Sequence, residues 1–238
     1  LNLEKAGYDP RSMPTMFERL MRQYRFDAKP PEFLLTHPVT ESRIADTRNR
    51  AEQSKPGGKE DSLRYQLIRT RVQLQYEDTS GLAAKRFQAQ LDENPKNDVA
   101  RYGLAIAQIK ASQFKQAREN LQSLLAKAPN DITYNLAQIQ LDIDNNHLPD
   151  AQQRTDKMLV QYPGNYPLNQ IRVDLLLKQN RTADAEKALD GLLKSRPDDP
   201  DVWYQVAETR GLSGNIIGLH QARAEYFALV GDFQQAIQ

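Results

Sequence analysis

The sequence of 238 residues contains no cysteine and only three histidines, His37, His147 and His220. The lack of cysteine excludes disulfide bonds, thiolate zinc sites and cysteine nucleophiles within these residues. No histidine has a second histidine four residues away, so the sequence has no HExxH motif, which binds zinc through two histidines on one helix face. A zinc site built from this sequence alone would therefore lack the usual set of three protein ligands.

The sequence also lacks a long apolar run and an excess of charge of either sign. A membrane-spanning helix needs about 20 consecutive apolar residues, whereas the runs here are as short as the three leucines at 175–177. The 32 basic and 31 acidic side chains leave a formal net charge of +1. We therefore expect neither a transmembrane segment nor nucleic-acid binding driven by overall charge. Because the sequence opens at Leu1 without a charged and apolar leader, we expect it to be part of a longer chain.

Prolines and alanines recur at a fixed interval of 34 residues. The two series are Pro95, Pro129, Pro163 and Pro197, and Ala83, Ala117, Ala151 and Ala185. This period resembles the tetratricopeptide repeat, in which a small residue lies where two helices cross and a proline follows the second helix. The resemblance implies an all-α fold in which helix pairs stack into a solenoid.

The hydrophobic pattern within one period predicts two amphipathic helices. Apolar residues recur at helical spacing over 99–109 and again over 114–125. Asn97, Asn130 and Asp198 follow the prolines closely enough to cap the next helix. The sequence therefore predicts helix pairs at about 63–90, 98–127, 131–161 and 167–195, without strands.

The repeat changes after Pro197. A first helix that carries Trp203 as a packing residue is expected to end near Gly214, and the next helix, 216–230, has the pattern of another first helix. The step at this point is therefore about half a repeat. Because stacked repeats need a polar cap, we also expect the natural chain to continue beyond Gln238.

Residues 1–61 lack the 34-residue pattern and are expected to form a separate region. Glycine and proline predict helix boundaries near Gly7, Pro10 and Pro38, which leaves three short helical pieces. We assign 1–53 to this region, 54–61 to a linker and 62–238 to the repeats. Three short helices have too little core to fold alone, so we expect them to pack on chain that precedes Leu1.

Four sequence blocks within 1–53 carry a recognisable pattern. They are Ala6-Gly7-Tyr8-Asp9-Pro10, Met13-Pro14 with Phe17 and Leu20, Pro31-Glu32-Phe33-Leu34-Leu35-Thr36-His37-Pro38, and Ser42-Arg43-Ile44-Ala45. These blocks resemble the C-terminal end of HExxH zinc metallopeptidases related to the CAAX prenyl protease and the heat-shock membrane protease. Together with the repeats, the resemblance covers the whole chain and narrows to periplasmic members of this family.

The resemblance implies hydrolysis of peptide bonds with one zinc ion, bound by the two HExxH histidines and a later glutamate. These ligands would lie upstream of Leu1, so this chain alone is expected to be inactive. The resemblance also implies that His37 lies close to the zinc, with Arg43 beside the site. Because a fourth protein ligand would fill the position that water needs, we expect His37 to be a removable ligand that restrains the enzyme. His37 has two alternative interpretations, an ordinary loop histidine or a histidine that stabilises charge during the reaction. The alternative interpretation of Arg43 is an exposed helix arginine.

The register of the repeats predicts which side chains face outward from the first helices. The candidates for protein binding are Tyr102, Ile106, Gln140, Asp174 and Tyr204. Stacked helix pairs curve and present a concave surface lined by such helices. We therefore expect this surface to bind other proteins.

Two functions of different classes remain open. The resemblance implies the C-terminal portion of a periplasmic zinc metalloprotease with a chaperone-like role, whose repeats bind outer-membrane β-barrel proteins or their assembly machinery. The alternative is a non-catalytic repeat adaptor in which the N-terminal helices are only a cap. An HExxH motif upstream of Leu1 would favour the first function, and its absence would favour the second.

Overall fold

A computed structural model describes residues 2–23, 41–77 and 79–237. Within these residues the chain forms fourteen α-helices and no β-strand, which confirms the all-α prediction. The chain divides into two compact units, Leu1–Ser62 and Leu63–Gln238. The assignment of 1–53 to a peptidase domain and of 54–61 to a linker stays a prediction.

Within its described residues, the first unit contains three helices, α1 (Asn2–Lys5), α2 (Ser12–Gln23) and α3 (Glu41–Glu52). Gly7 follows α1 with a φ of 81°, a left-handed conformation that glycine adopts readily. The backbone N–H of Lys59 donates to the Gly7 carbonyl oxygen at 2.8 Å and ties the following loop to this turn. Helix α2 packs against α3, on which Ile44 and Ala51 are buried. The predicted helix start near Pro38 lies outside the described residues.

The second unit contains eleven helices within the described residues. They are α4 (Leu63–Gln73), α5 (Ser80–Glu93), α6 (Asp98–Lys110), α7 (Phe114–Lys127), α8 (Ile132–Asp144), α9 (Leu148–Gln161), α10 (Tyr166–Lys178), α11 (Thr182–Ser195), α12 (Pro200–Leu212), α13 (Ile216–Leu229) and α14 (Phe233–Ala236). Their bounds lie within about three residues of the predicted ones, because period and apolar spacing fix helix positions well.

A capping side chain recurs every 34 residues in front of the first helix of a pair. The caps are Asn97, Asp131, Asn165 and Asp199. Each accepts a hydrogen bond from a backbone N–H in the first turn of its helix. The prediction of Asn97 is confirmed, whereas Asp131 and Asp199 take the places expected for Asn130 and Asp198. In these two repeats the helix begins one residue later than predicted, because one more residue belongs to the turn that follows the proline.

The prolines of the series also accept hydrogen bonds that close each repeat. Their carbonyl oxygens accept from a side chain six residues later, at 2.7–3.0 Å. The donors are Arg101, Asn135, Asn169 and Trp203. The indole N–H of Trp203 is therefore used within its own repeat, and its ring packs on the core. The predicted packing role of Trp203 is confirmed.

A single left-handed residue closes the turn inside each later pair. These residues are Ser112, Asn146, Asn180, Gly214 and Gly231, with φ between 57° and 82°. In each turn, the next residue's backbone N–H donates to a carbonyl oxygen five residues earlier. Gly214 and Gly231 are only half a repeat apart, so α13 is both the partner of α12 and the helix that precedes the next turn. The predicted half-step is confirmed.

Helix α4 departs from the predicted pairing. The alanines of the 34-residue series are fully buried, as their expected place at helix crossings requires. However, α4 packs mainly against α6 rather than against α5. The connection over 74–79 is longer than the turns inside the later pairs, and the Lys110 ammonium on α6 donates to the Leu74 carbonyl oxygen at 2.6 Å. The prediction that α4 and α5 form a hairpin like the others is therefore wrong.

Candidate protein-binding face

Two rows of residues recur every 34 residues on the first helices of the repeats. The Val72 row is Val72, Ile106, Gln140, Asp174 and Glu208, and the Ile68 row is Ile68, Tyr102, Leu136, Gln170 and Tyr204. The rows are four residues apart, so they lie on the same side of α4, α6, α8, α10 and α12. We call this side the first-helix face. It includes all five residues that the sequence predicts for protein binding.

The first-helix face changes from apolar to acidic along the chain. At the α4 end, Ile68 and Val72 are 49% and 48% exposed. At the other end Asp174 and Glu208 are exposed, together with Tyr204. Contiguous exposed apolar side chains commonly mark protein interaction sites. The face therefore offers apolar contact at one end and negative charge at the other.

Two of the five predicted residues are not available on the surface. Tyr102 and Ile106 are 0% and 6% exposed. The Tyr102 hydroxyl accepts a hydrogen bond from Arg71 of α4 at 3.5 Å, and its ring centroid lies 6.0 Å from that of Tyr134. Burial raises the pKa of the Tyr102 hydroxyl above its ordinary value, although Arg71 acts in the opposite direction. The prediction of both residues as exposed contacts is wrong, because the register does not reveal how α4 packs on α6.

Gln140 and Asp174 remain accessible on the face. The side-chain amide of Gln140 donates to Asp144 at 2.7 Å, one turn further along α8. Asp174 makes no hydrogen bond or ion pair within the described part of the chain. Partial burial raises the pKa of its carboxyl group above the ordinary value, and nearby Lys178 lowers it. An additional cation beside Asp174 would stabilise its charged form.

Tyr204 provides an aromatic surface at the acidic end. It is 52% exposed, and its ring meets that of Tyr226 on α13 edge to face, with centroids 5.6 Å apart. Glu208 lies one turn further along α12 and makes no ion pair or hydrogen bond within the described residues. An exposed aromatic ring beside a carboxylate suits an arginine or lysine side chain of another protein.

A buried carboxylate connects three helices on which the sequence predicted no polar contact. Asp142 on α8 is 1% exposed and accepts hydrogen bonds from Arg118 of α7 at 2.8 Å and from Gln138 at 3.0 Å. The Nε of Arg154 on α9 lies 4.0 Å from the second carboxylate oxygen. One sequence feature could have revealed this buried carboxylate. Asp142 occupies the position at which the next repeat has the buried Leu176. We assign this network a role in holding the stack together.

Of the two residues predicted to lie near a metal, the structure describes only Arg43. His37 lies outside the described residues, whereas Arg43 on α3 places its guanidinium 5.6 Å from the ring centroid of Phe17. Within 2–23, 41–77 and 79–237, no group of three or more acidic or histidine side chains could hold a metal ion. None of the helices in the described part of the chain combines the length and apolarity that crossing a membrane requires.

Comparison with known families agrees with the helical repeat. The sequence profile of the tetratricopeptide repeat matches residues 81–141 and 142–208, more than half of the chain. The chain belongs to the tetratricopeptide-repeat family. A solved tetratricopeptide-repeat protein of Parabacteroides merdae is 12% identical, with a TM-score of 0.58 over 99% of this chain and 94% of that one. One from Thermus thermophilus is 21% identical, with a TM-score of 0.54 over 74% and 99%. At these identities the likeness shows the fold alone.

Relatives of higher identity are longer proteins than this chain. The chain is 32% identical over 240 residues to the β-barrel assembly-enhancing protease of Escherichia coli K12, and 34% identical over 241 residues to that of Yersinia pestis. These alignments cover 99% of this chain but 48% and 49% of the relatives. The chain thus spans about half the length of the curated relatives it matches, and it corresponds to their C-terminal repeat part.

Proposed function

We propose that this chain is the protein-binding, C-terminal portion of a periplasmic zinc metalloprotease with a chaperone-like role in outer-membrane protein assembly and quality control. Its repeats bind outer-membrane β-barrel proteins or their assembly machinery, and the zinc site lies in chain outside this sequence. The observation that carries the proposal is the exposed first-helix face, apolar at α4 and acidic at α10 and α12. The relatives named β-barrel assembly-enhancing protease support this choice of clients.

Binding to an unfolded outer-membrane β-barrel protein tests the proposal. The client is unfolded in urea, diluted into the 238-residue chain, and its binding is followed by fluorescence anisotropy. We expect the chain to bind the unfolded client and not to bind the same protein folded in detergent. Ile68→Ser on the first-helix face should weaken binding about fivefold, because it removes one exposed apolar contact.

Val160→Ser is the matched control for Ile68→Ser. Val160 is 84% exposed on α9, a second helix, and its loss removes a similar apolar side chain away from the proposed face. We expect binding by this variant to equal that of the wild type. Equal losses in both variants, or full binding by Ile68→Ser, would contradict the proposed binding face.

The second candidate function is a non-catalytic adaptor. The family profile matches the repeats, whose role is binding in either case. The two candidates differ in the longer protein, which should contain one zinc ion and cleave unfolded clients if it is a metalloprotease. A full-length protein with neither property would be the adaptor.

For the longer protein we also propose that His37 is a removable zinc ligand that restrains cleavage. A fourth protein ligand would fill the position that a catalytic zinc site keeps open. His37→Ala should therefore hold zinc more weakly and cleave faster than the wild type. Zinc content and self-cleavage are the two measurements, and a slower variant with unchanged zinc content would contradict this role.

A further inference from the structure

We infer that the first-helix face binds an extended protein segment that is apolar at one end and positively charged at the other. The apolar end of the segment lies at α4, where Ile68 and Val72 are exposed, and the cationic end lies at α10 and α12. This inference rests on the proposed function and adds the chemistry and orientation of the bound segment. It follows from the distribution of apolar and charged side chains along the repeats.

The α4 end selects for apolar side chains. Four large side chains are exposed on α4 and just after it. They are Tyr65, Ile68, Val72 and Tyr76. Apolar side chains of a partner would be buried against them.

The α10 and α12 end selects for cations. Asp174 and Glu208 occupy successive places in the Val72 row, and neither has a hydrogen bond or ion pair within the described residues. Arg210 is close to Glu208 in sequence, but its Nε forms an ion pair with Oε1 of Glu186 on α11 at 3.1 Å instead. These two available carboxylates, with Tyr204 one turn from Glu208 on α12, would receive one or two lysine or arginine side chains.

The spacing of the helices sets the length of the segment. Packed helices lie about 8–10 Å apart, and helices that are not in direct contact lie farther apart, so the four steps from α4 to α12 cover at least about 36 Å along the face. An extended chain advances about 3.3 Å per residue, so a segment that follows the whole face needs at least about 11 residues. The bound segment should therefore have its apolar residues in one block and its cationic residues in another. The two kinds of residue should not alternate along the segment.

Synthetic peptides of about 12 residues test the order of the blocks. One peptide has leucine and phenylalanine in one half and lysine and arginine in the other, and a second has these halves exchanged. A third has the same composition with the two kinds of residue alternating, and a fourth has glutamate in place of the basic residues. Binding to the 238-residue chain is measured by fluorescence anisotropy at low and high salt. We expect one blocked peptide to bind at least about fivefold more tightly than the alternating and acidic peptides.

Charge-neutral variants identify the cationic end. Asp174→Asn with Glu208→Gln should weaken binding of the preferred blocked peptide about fivefold at low salt and remove most of its salt dependence. The matched control is Glu119→Gln with Asp156→Asn, which removes the same charge from the second helices α7 and α9. It should bind like the wild type.

The outcomes separate this inference from the proposed function. Equal binding of the blocked, alternating and acidic peptides would overturn the inference, as would equal effects of the two charge-neutral pairs. If the chain still binds the unfolded β-barrel protein in an Ile68-dependent manner, the proposed function stands without the inference. Failure to bind both the peptides and the unfolded protein would overturn both.

Discussion

The phenyl ring of Phe87 on α5 occupies the space in which a side chain at Gly103 on α6 would lie. A β-carbon at Gly103 would come within 2.5 Å of the ring atoms. Both residues are buried where α5 packs against α6. The close approach of these two helices therefore depends on the absence of a side chain at residue 103.

Gly103→Ala should lower the free energy of unfolding by about 1–3 kcal/mol, because the Phe87 ring must move out of a packed core. Urea denaturation measures the change. Gly191→Ala is the control, since Gly191 lies exposed within α11 with open space around it. Alanine there should raise stability by up to about 1 kcal/mol through its higher helix propensity. A stabilising effect at both positions would show that the ring does not pack as described.

Arg118→Ala should be strongly destabilising, because it leaves the Asp142 carboxylate buried without its closest cation. The expected loss is about 3 kcal/mol. Lys127→Ala, which removes the exposed partner of Asp98, should cost less than about 1 kcal/mol. Adding Asp142→Leu to Arg118→Ala should recover stability, because the next repeat has leucine at this place. Similar losses for Arg118→Ala and Lys127→Ala in urea denaturation would contradict a structural role for this network.

The sequence predicted the repeating backbone well because the relevant signals are local. The period, the apolar spacing and the alanines at 117 and 151 define helix pairs without knowledge of their neighbours. The burial of Tyr102 could not be predicted in this way, since it depends on α4 packing against α6 rather than on the α6 sequence. Asp142 was missed for a similar reason, because its partners come from the preceding and following helices.

The candidate face was predicted in part. Asp174 and Tyr204 lie exposed on the helices where the register places them. The apolar end was missed, because α4 precedes the first proline of the series and its Ile68 and Val72 fit an ordinary amphipathic pattern. Their exposure follows from the way α4 packs, which no local pattern specifies.

Asp174→Asn should increase stability more at neutral than at acidic pH. Partial burial raises the pKa of Asp174, so the unfolded chain loses its proton at lower pH than the folded one. Wild-type stability therefore falls as the pH rises from the ordinary aspartate pKa through the pKa of Asp174 in the folded chain. The asparagine variant does not lose stability in this way, because asparagine does not titrate. The difference in unfolding free energy between variant and wild type should be larger at about pH 7 than at about pH 3.

Asp184→Asn is the control of opposite sign for Asp174→Asn. Hydrogen bonding to Arg181 lowers the pKa of Asp184, so its charged form favours the folded state as the pH rises. Asp184→Asn should therefore lose stability relative to the wild type between about pH 3 and about pH 7. The same pH dependence for both variants would contradict the environment described for Asp174.

Site-specific photo-crosslinking in cells tests whether the first-helix face binds outer-membrane β-barrel proteins or their assembly machinery. A photoreactive phenylalanine analogue replaces Tyr204 in the full-length protein, and in a second strain it replaces Val160 on the second helix α9. Both positions are exposed, and mass spectrometry identifies the crosslinked proteins. We expect position 204 to crosslink to outer-membrane β-barrel proteins or their assembly machinery and position 160 not to do so. Equal crosslinking of these proteins from both positions, or none from position 204, would contradict this expectation.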